Sequence, residues 1–290
     1  MTGGLGSAVG ESAAPSRAAR LWRRTRVGGA LAVGLALVLW LTSLTASSWP
    51  VLAIGLGLSA LLAIEFARMG CYGELRLGPA LLAGVAAVAA IGFFGPPVSI
   101  PLAYVGAAGA AALAALALHA LRGARGSGLL LALALGLWLL APLPGLALVR
   151  DGYGHGGLVA LLVLSKIGDI AGYYGGSLMG RHHPFPRISP GKTTEGCLVS
   201  ALAGVLAGAG AVHFGLLPGT WAQGLVAGLL INVAAQAGDL LESFVKRRAG
   251  VKDSGTWFGP SGGLFDLADS LLLTVPAALL LWPLVLSAGD

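Results

Sequence analysis

Long uninterrupted runs of apolar residues alternate along the chain with short segments that hold most of the charged positions. A helix needs about 17–25 mostly apolar residues to cross the hydrocarbon core of a bilayer. Because backbone groups find no water there, continuous runs of this length favour α-helices. The runs predict nine spans, at residues 27–46, 49–67, 78–95, 100–121, 128–149, 157–177, 196–214, 222–241 and 264–286.

Composition agrees with lipid as the solvent for most of the chain. Hydrophobic residues make up 56% and charged residues only 10%, against about 25% charged in a soluble domain. We therefore predict an all-α integral membrane protein. Residues 1–26 lack the compact order of a secretory signal and are predicted to form a disordered cytoplasmic tail. Helices one to five then occupy 27–149, and helices six to nine occupy 150–290.

Lysine and arginine positions predict the orientation of these helices. With the N-terminus in the cytoplasm, sixteen of the eighteen basic residues fall in cytoplasmic segments, Arg150 falls outside and Lys166 lies within a span. This bias predicts that the C-terminus lies on the opposite side of the membrane. The net charge of +6 is thus a topology signal. No basic surface interleaved with aromatic residues indicates a nucleic-acid partner.

Polar residues after position 165 form three clusters at the cytoplasmic ends of helices six to nine. The first contains Lys166 and Asp169, followed by a loop that opens helix seven. The loop carries a Ser-Pro turn, a lysine, a threonine and an acid, at Ser189, Lys192, Thr193 and Glu195. Backbone amides, a hydroxyl and a cation at a helix N-terminus suit a phosphate. The alternative is a helix cap with a basic topology marker.

The second cluster lies on helix eight. Asp239, Ser243 and Lys246 are spaced i, i+4 and i+7, so they share one helical face; Gln236 and Arg247 belong to the same cluster. An acid costs about 2.5–3.5 kcal/mol at mid-bilayer and less near the interface. The cost favours a functional role for Asp239, and an interfacial ion pair is the alternative.

The third cluster runs from the loop into helix nine. Lys252 and Asp253 precede a glycine-rich turn, and Asp266 and Asp269 then lie on one face of the helix start. Carboxylates near phosphate-binding cations suit Mg²⁺, which keeps waters and borrows phosphate oxygens. Two acids at a helix start could instead complement the helix dipole. The Gly-Gly pair at 262–263 permits close backbone approach to a ligand.

The run over 243–253, continued over 260–270, resembles the C-terminal signature of phosphatidate cytidylyltransferases, also called CDP-diacylglycerol synthases. That signature reads S-x-x-K-R, four residues, K-D, then P-x-H-G-G and D-R-x-D. The upstream Gly238-Asp239, the 189–196 loop and the stretch from Asp169 to Arg181 are similar to the same family, so the resemblance covers about 165–275. Two residues depart from it, since Ser261 replaces the usual His and Leu267 the usual Arg.

The resemblance implies the reaction of CTP with phosphatidate to give CDP-diacylglycerol and pyrophosphate. It implies catalytic roles for Asp239, Lys246, Asp266 and Asp269, with Asp239 and Asp266 holding Mg²⁺ and a monovalent cation such as K⁺ beside it. Substrate binding is expected from Ser189, Lys192, Thr193, Glu195, Ser243, Arg247, Lys252 and Asp253.

The implied setting is the cell inner (plasma) membrane. A multi-pass enzyme there, with its active site facing the cytoplasm, would take phosphatidate from the inner leaflet and CTP from solution. The resemblance also implies a homodimer. Three alternatives stay open: a divergent CTP-dependent lipid-phosphate enzyme, a nucleotide- or lipid-binding pseudoenzyme, and an anion transporter. The transporter predicts charges near the midplane and on both sides, whereas here they gather on one.

Overall fold

The computed structural model describes residues 17–69, 137–259 and 262–286, and within these ranges every regular element is a helix. Five helical stretches are long and apolar enough to cross a membrane, at Trp49–Phe66, Pro142–Met179, Thr194–His213, Trp221–Arg248 and Leu264–Val285. In chain order the helices are α1 (Arg17–Ser43), α2 (Trp49–Arg68), α3 (Pro142–Met179), α4 (Thr194–His213), α5 (Trp221–Arg248), α6 (Leu264–Ala268) and α7 (Leu271–Val285).

Most predicted spans that can be compared coincide with a helix, and their ends differ. Helix α1 begins at Arg17, inside the segment predicted to be a disordered tail, because alanine, leucine and arginine continue a helix well beyond its apolar part. Helix α5 continues past residue 241 to Arg248, because glutamate, lysine and arginine are also good helix formers. The predicted spans 78–95 and 100–121, and residues 128–136 of the fifth, lie outside the described residues, so nine spans remain a prediction.

Helix α3 contains a sharp reversal of the chain at Gly154, whose φ of 67° and ψ of −173° are not helical. Before this residue, Trp138 packs edge-on against Phe265. After it, the Lys166 ammonium lies 2.9 Å from the Asp269 carboxylate. Twenty-eight residues of straight helix would extend about 42 Å, yet both contacts fall within one short segment. The chain therefore runs away from the Phe265–Asp269 segment and then returns to it, and it reverses within the predicted connection 150–156.

Helices α4 and α5 pack closely because glycines face one another. A Cβ added at Gly208 would lie 2.2 Å from the carbonyl oxygen of Gly224, and one at Gly228 would lie 2.2 Å from that of Gly204. Each helix thus carries a Gly-x-x-x-Gly pair in the contact, an arrangement that lets membrane helices approach through their backbones. The close approach brings the start of α4 beside the charged end of α5.

At the end of the bundle opposite these charged residues, Arg150 connects α3 to the α1–α2 turn. It is 6% exposed, and its guanidinium donates hydrogen bonds to the carbonyl oxygens of Ser47 at 2.7 Å, Thr42 at 2.9 Å and Thr45 at 2.5 Å. Three peptide oxygens thus surround one cation. This anchor fixes the entry of α2, whose other end reaches the site described next.

Candidate active site

A cavity of about 650 Å³ lies between α3, α4, α5 and α6 at one end of the bundle. The three polar clusters predicted from the sequence all contribute to its wall. Its charged lining residues are Lys166, Asp169, Lys192, Asp239, Asp266 and Asp269. Helices distant in the chain therefore bring these side chains to one place.

The first ion pair of the cavity joins α5 to the loop before α4. Lys192 Nζ lies 2.7 Å from Asp239 Oδ2 and donates to the carbonyl oxygen of Gln236 at 3.3 Å. The other carboxylate oxygen, Asp239 Oδ1, has one long contact of 3.5 Å, from the Ser243 hydroxyl. Asp239 therefore keeps an oxygen that can bind a further group.

The second ion pair is buried, and both oxygens of its Asp266 already accept hydrogen bonds. Lys246 Nζ lies 2.5 Å from Asp266 Oδ1 and 2.5 Å from Glu242 Oε1. Asp266 Oδ2 accepts from the Ser254 amide and hydroxyl at 2.9 and 2.6 Å and from the Gly263 amide at 2.7 Å. Lys246 therefore contacts two carboxyl groups with a single positive charge. Sequence reasoning missed Glu242, although its i, i+4 spacing to Lys246 is that of a helical ion pair.

The third ion pair joins α3 to the start of α7. Lys166 Nζ lies 2.9 Å from Asp269 Oδ1 and 3.8 Å from Asp169 Oδ2. The Ser270 amide donates to the same Asp269 oxygen at 2.6 Å, while Asp269 Oδ2 accepts no hydrogen bond from a described residue. Lys166 belongs to the first predicted cluster but was not among the predicted site residues.

Glu65 of α2 holds the loop that carries Asp266. Its side chain is almost completely buried, at 2% exposure. Glu65 Oε2 accepts from the Leu264 and Phe265 amides at 2.6 and 3.3 Å, and Oε1 accepts from the Ser254 hydroxyl. The first amides of a helix have no intrahelical acceptor, so this carboxylate caps α6. The sequence shows an acid near a span end but not its partners, 189 to 200 residues away.

The Gly-Gly pair at 262–263 lies directly against the carboxylates of Asp266 and Glu65. Gly262 has φ +82°, and a Cβ there would lie 2.3 Å from Asp266 Oδ2; a Cβ at Gly263 would lie 1.4 Å from Glu65 Oε1. The sequence interpretation expects close approach to a ligand. The structure shows close approach to two side chains of the chain itself, which leaves no room for a larger residue.

The loop before α4 forms the helix cap that the sequence allows. The Thr193 hydroxyl accepts from the Gly196 amide at 3.1 Å. The Glu195 carboxylate takes His182 as its partner, through the ring Nδ1 at 2.7 Å and the backbone amide at 3.3 Å. The capping alternative is thus confirmed for Thr193, and a phosphate at this loop stays a prediction.

Several predicted substrate-binding residues lie outside the cavity wall. Arg247 donates to the carbonyl oxygens of Ile188 and Val251 at 3.4 and 3.2 Å, and Lys252 and Asp253 are exposed to solvent. Ser261 lies outside the described residues, whereas Leu267 lines the cavity. The predicted residues absent from the cavity lining are Ser189, Glu195, Ser243, Lys246, Arg247, Lys252 and Asp253.

The carboxylates suit a magnesium ion only if it takes other ligands as well. The described parts of the chain contain no group of three or more His, Cys, Asp or Glu that could hold a metal ion. Mg²⁺ commonly uses one or two carboxylates together with waters and substrate phosphates. Of the three aspartates predicted to be catalytic, Asp239 and Asp269 each have an open oxygen, Oδ1 and Oδ2, whereas Asp266 would have to exchange a hydrogen bond for the metal.

The fold and the site define a class: a helical protein with stretches long and apolar enough to cross a membrane, and a cavity lined by lysine–aspartate pairs at one end. Residues 23–285 match the cytidylyltransferase family, and the chain belongs to that family.

Individual relatives match over shorter segments. The chain is 42% identical over 118 residues to the uncharacterized protein YnbB of Escherichia coli, covering 40% of this chain and 39% of YnbB. It is 38% identical over 124 residues to a phosphatidate cytidylyltransferase of Helicobacter pylori, covering 43% and 46%. For the phosphatidate cytidylyltransferase of Brucella suis the identity is 38% over 139 residues, covering 47% and 50%. The matches thus span about two-fifths to half of these relatives.

Proposed function

We propose that this protein is a phosphatidate cytidylyltransferase, which converts CTP and phosphatidate to CDP-diacylglycerol and pyrophosphate. The observation that carries the proposal is the convergence of Lys192–Asp239 and Lys166–Asp269 on one cavity, with the Asp266 carboxylate of a third pair in its wall. Membership of the cytidylyltransferase family supports it, as do relatives named for this activity.

The reaction needs positioning and charge neutralisation more than acid–base chemistry. An oxygen of the phosphatidate phosphate attacks the α-phosphorus of CTP, the bond from that phosphorus to the bridging oxygen breaks, and pyrophosphate leaves with the bonding electrons. The attacking phosphate already carries negative charge near pH 7, so no general base is required. Fixed cations that hold both phosphates in line supply much of the catalysis in phosphoryl transfer.

Ion pairs with aspartates hold the two lysines of the cavity, Lys166 and Lys192, in place to bind phosphate. We assign Lys192 to substrate phosphate, since it faces the cavity and exchanges one oxygen contact for another on binding. Lys246 acts through Asp266, which it holds in place. Thr193 and Glu195 shape the loop that presents Lys192. The roles predicted for Ser189, Ser243, Arg247, Lys252 and Asp253 require contacts with parts of the substrates outside the cavity.

We assign Mg²⁺ to Asp239 and Asp266, with Asp269 as a further ligand. The ion would neutralise phosphate charge during the transfer, and a monovalent cation such as K⁺ beside it is part of the same proposal. Asp239 offers an open oxygen for this purpose. Asp266 would give up one of the hydrogen bonds that it now accepts in order to bind the metal.

The site is proposed to face the cytoplasm from the inner membrane, where the phosphatidate headgroup and CTP meet. The distribution of basic residues supports this orientation. We also propose a homodimer, which is supported by the resemblance to the family. A divergent lipid-phosphate enzyme is the second candidate, because Leu267 places an uncharged side chain in the cavity wall where the resembled signature has Arg.

The test is turnover by the detergent-purified protein with CTP, phosphatidate and Mg²⁺, following CDP-diacylglycerol and pyrophosphate together. Product that is lost with EDTA and with Asp239→Asn is expected. Asp151→Asn, which removes an exposed carboxylate outside the cavity, should keep full activity. A folded wild-type protein that binds CTP but releases no pyrophosphate would reject the proposal in favour of the pseudoenzyme.

A further inference from the structure

Lys166 lies within the largely apolar helix α3 and lines the cavity. A lysine inside a membrane-spanning helix is costly and usually has a function. Its ammonium lies 2.9 Å from Asp269 and 3.8 Å from Asp169. Helix α3 does not need a lysine at this position to form, so we attribute the residue to the function of the cavity.

The lysines of the three ion pairs differ in how open they are. The Lys246 side chain is 11% exposed and contacts two carboxylates, and Lys192 is 17% exposed. Lys166 is 39% exposed while lining the cavity. It is therefore the ammonium that a ligand in the cavity can reach with the least rearrangement of the protein.

The cavity also has a shortage of positive charge. Its wall contains four aspartates and two lysines, so carboxylates outnumber ammonium groups before any polyanion enters. Without Lys166, Lys192 would be the one lysine or arginine left among the described lining residues. Until the proposed Mg²⁺ binds, charge repulsion from such a wall would oppose the binding of phosphates.

The residue that lacks a charge lines the same cavity as Lys166. Leu267 lines the same cavity and precedes Asp269 by two residues. The resembled signature has Arg at this position, between its two aspartates. In this chain, the cation beside Asp269 comes from α3, through Lys166 Nζ.

We propose that Lys166 binds a substrate phosphate in this cavity and supplies beside Asp269 the positive charge that Leu267 does not. This inference rests on the proposed function. The phosphate belongs either to CTP or to the phosphatidate headgroup. Both present charged oxygens that an ammonium group binds by charge-assisted hydrogen bonds.

The experiment compares wild type with K166M, L267R and the double variant K166M/L267R in steady-state kinetics, with CTP and phosphatidate varied separately. K166M should lower kcat/KM by about 10- to 100-fold, the loss expected for one hydrogen bond between charged groups. The double variant should recover most of it. The substrate whose KM rises identifies the phosphate. R248M removes a cation outside the cavity lining and should leave the kinetics unchanged.

Unchanged kcat/KM in folded K166M would overturn the inference. A loss that L267R does not relieve would also overturn it, because Lys166 would then serve only to hold Asp269. If K166M does not yield folded protein, K166Q replaces it, since the amide can still donate to Asp269. A wild-type protein without turnover defeats the proposed function alone. Calorimetric titration with CTP and with detergent-solubilised phosphatidate then decides, and equal affinities of wild type and K166M for both ligands would reject the inference.

Discussion

Replacing Glu65 with alanine should destabilise the protein and displace the loop that carries Asp266. The substitution removes the acceptor of the Leu264 amide at 2.6 Å, the Phe265 amide at 3.3 Å and the Ser254 hydroxyl. Two of these donors, the Leu264 and Phe265 amides, lie at the buried start of α6, which has only five residues, and the Ser254 hydroxyl lies in the loop before it. A short helix has little else to hold it when its N-terminal amides lose their acceptor.

The magnitude follows from the number of donors left unsatisfied. A buried donor without a partner costs about 1–3 kcal/mol. The Ser254 hydroxyl can still donate to Asp266, so the two amides decide the result, and the longer Phe265 bond contributes less. We expect E65A to lower the free energy of unfolding by about 3 kcal/mol. E65Q should cost much less, because its amide oxygen accepts from both backbone groups and its NH₂ can donate to Ser254.

Thermal unfolding of the detergent-purified protein measures this directly. Trp138 packs edge-on against Phe265 with ring centroids 5.7 Å apart, so tryptophan fluorescence should report changes at α6. D151A, which removes an exposed acid, is the matched control and should unfold like wild type. Equal unfolding temperatures for E65A and wild type would refute the capping role of Glu65, and so would equal losses in E65A and E65Q.

Three further predictions concern the scaffold. G208V should destabilise the α4–α5 contact by about 2 kcal/mol or more, because even a Cβ would lie 2.2 Å from a facing carbonyl oxygen. The control is G210A, whose Cβ would meet its nearest neighbour at 4.0 Å. Equal unfolding temperatures for the two variants would contradict the packing. R150M should cost about 2 kcal/mol or more through three lost hydrogen bonds, measured by the same unfolding assay, with R150K intermediate; an R150M protein as stable as wild type would reject the anchor. S254A should cost less than E65A in that assay, since the Ser254 amide still binds Asp266; a larger cost would place the main support of the loop at Ser254.

The pairing of charges shows where sequence reasoning stops. Helical spacing places Asp239, Ser243 and Lys246 on one face of α5, as predicted, yet Lys246 binds Asp266 and Asp239 binds Lys192. Spacing within a helix shows which side chains face the same way. It does not show which of several carboxylates an ammonium group will contact, because that depends on how the other helices pack.

The sequence by itself determined the helical, apolar character of the chain, the reversal near Gly154 and the three polar clusters at the same ends of the helices. Hydropathy and helical period carry this information, since both are local properties. The tertiary structure alone decided the partners of Glu65 and Glu242, the hydrogen bonds that Asp266 accepts and the solvent exposure of Lys166. These depend on contacts between segments far apart in the chain, which no local pattern records.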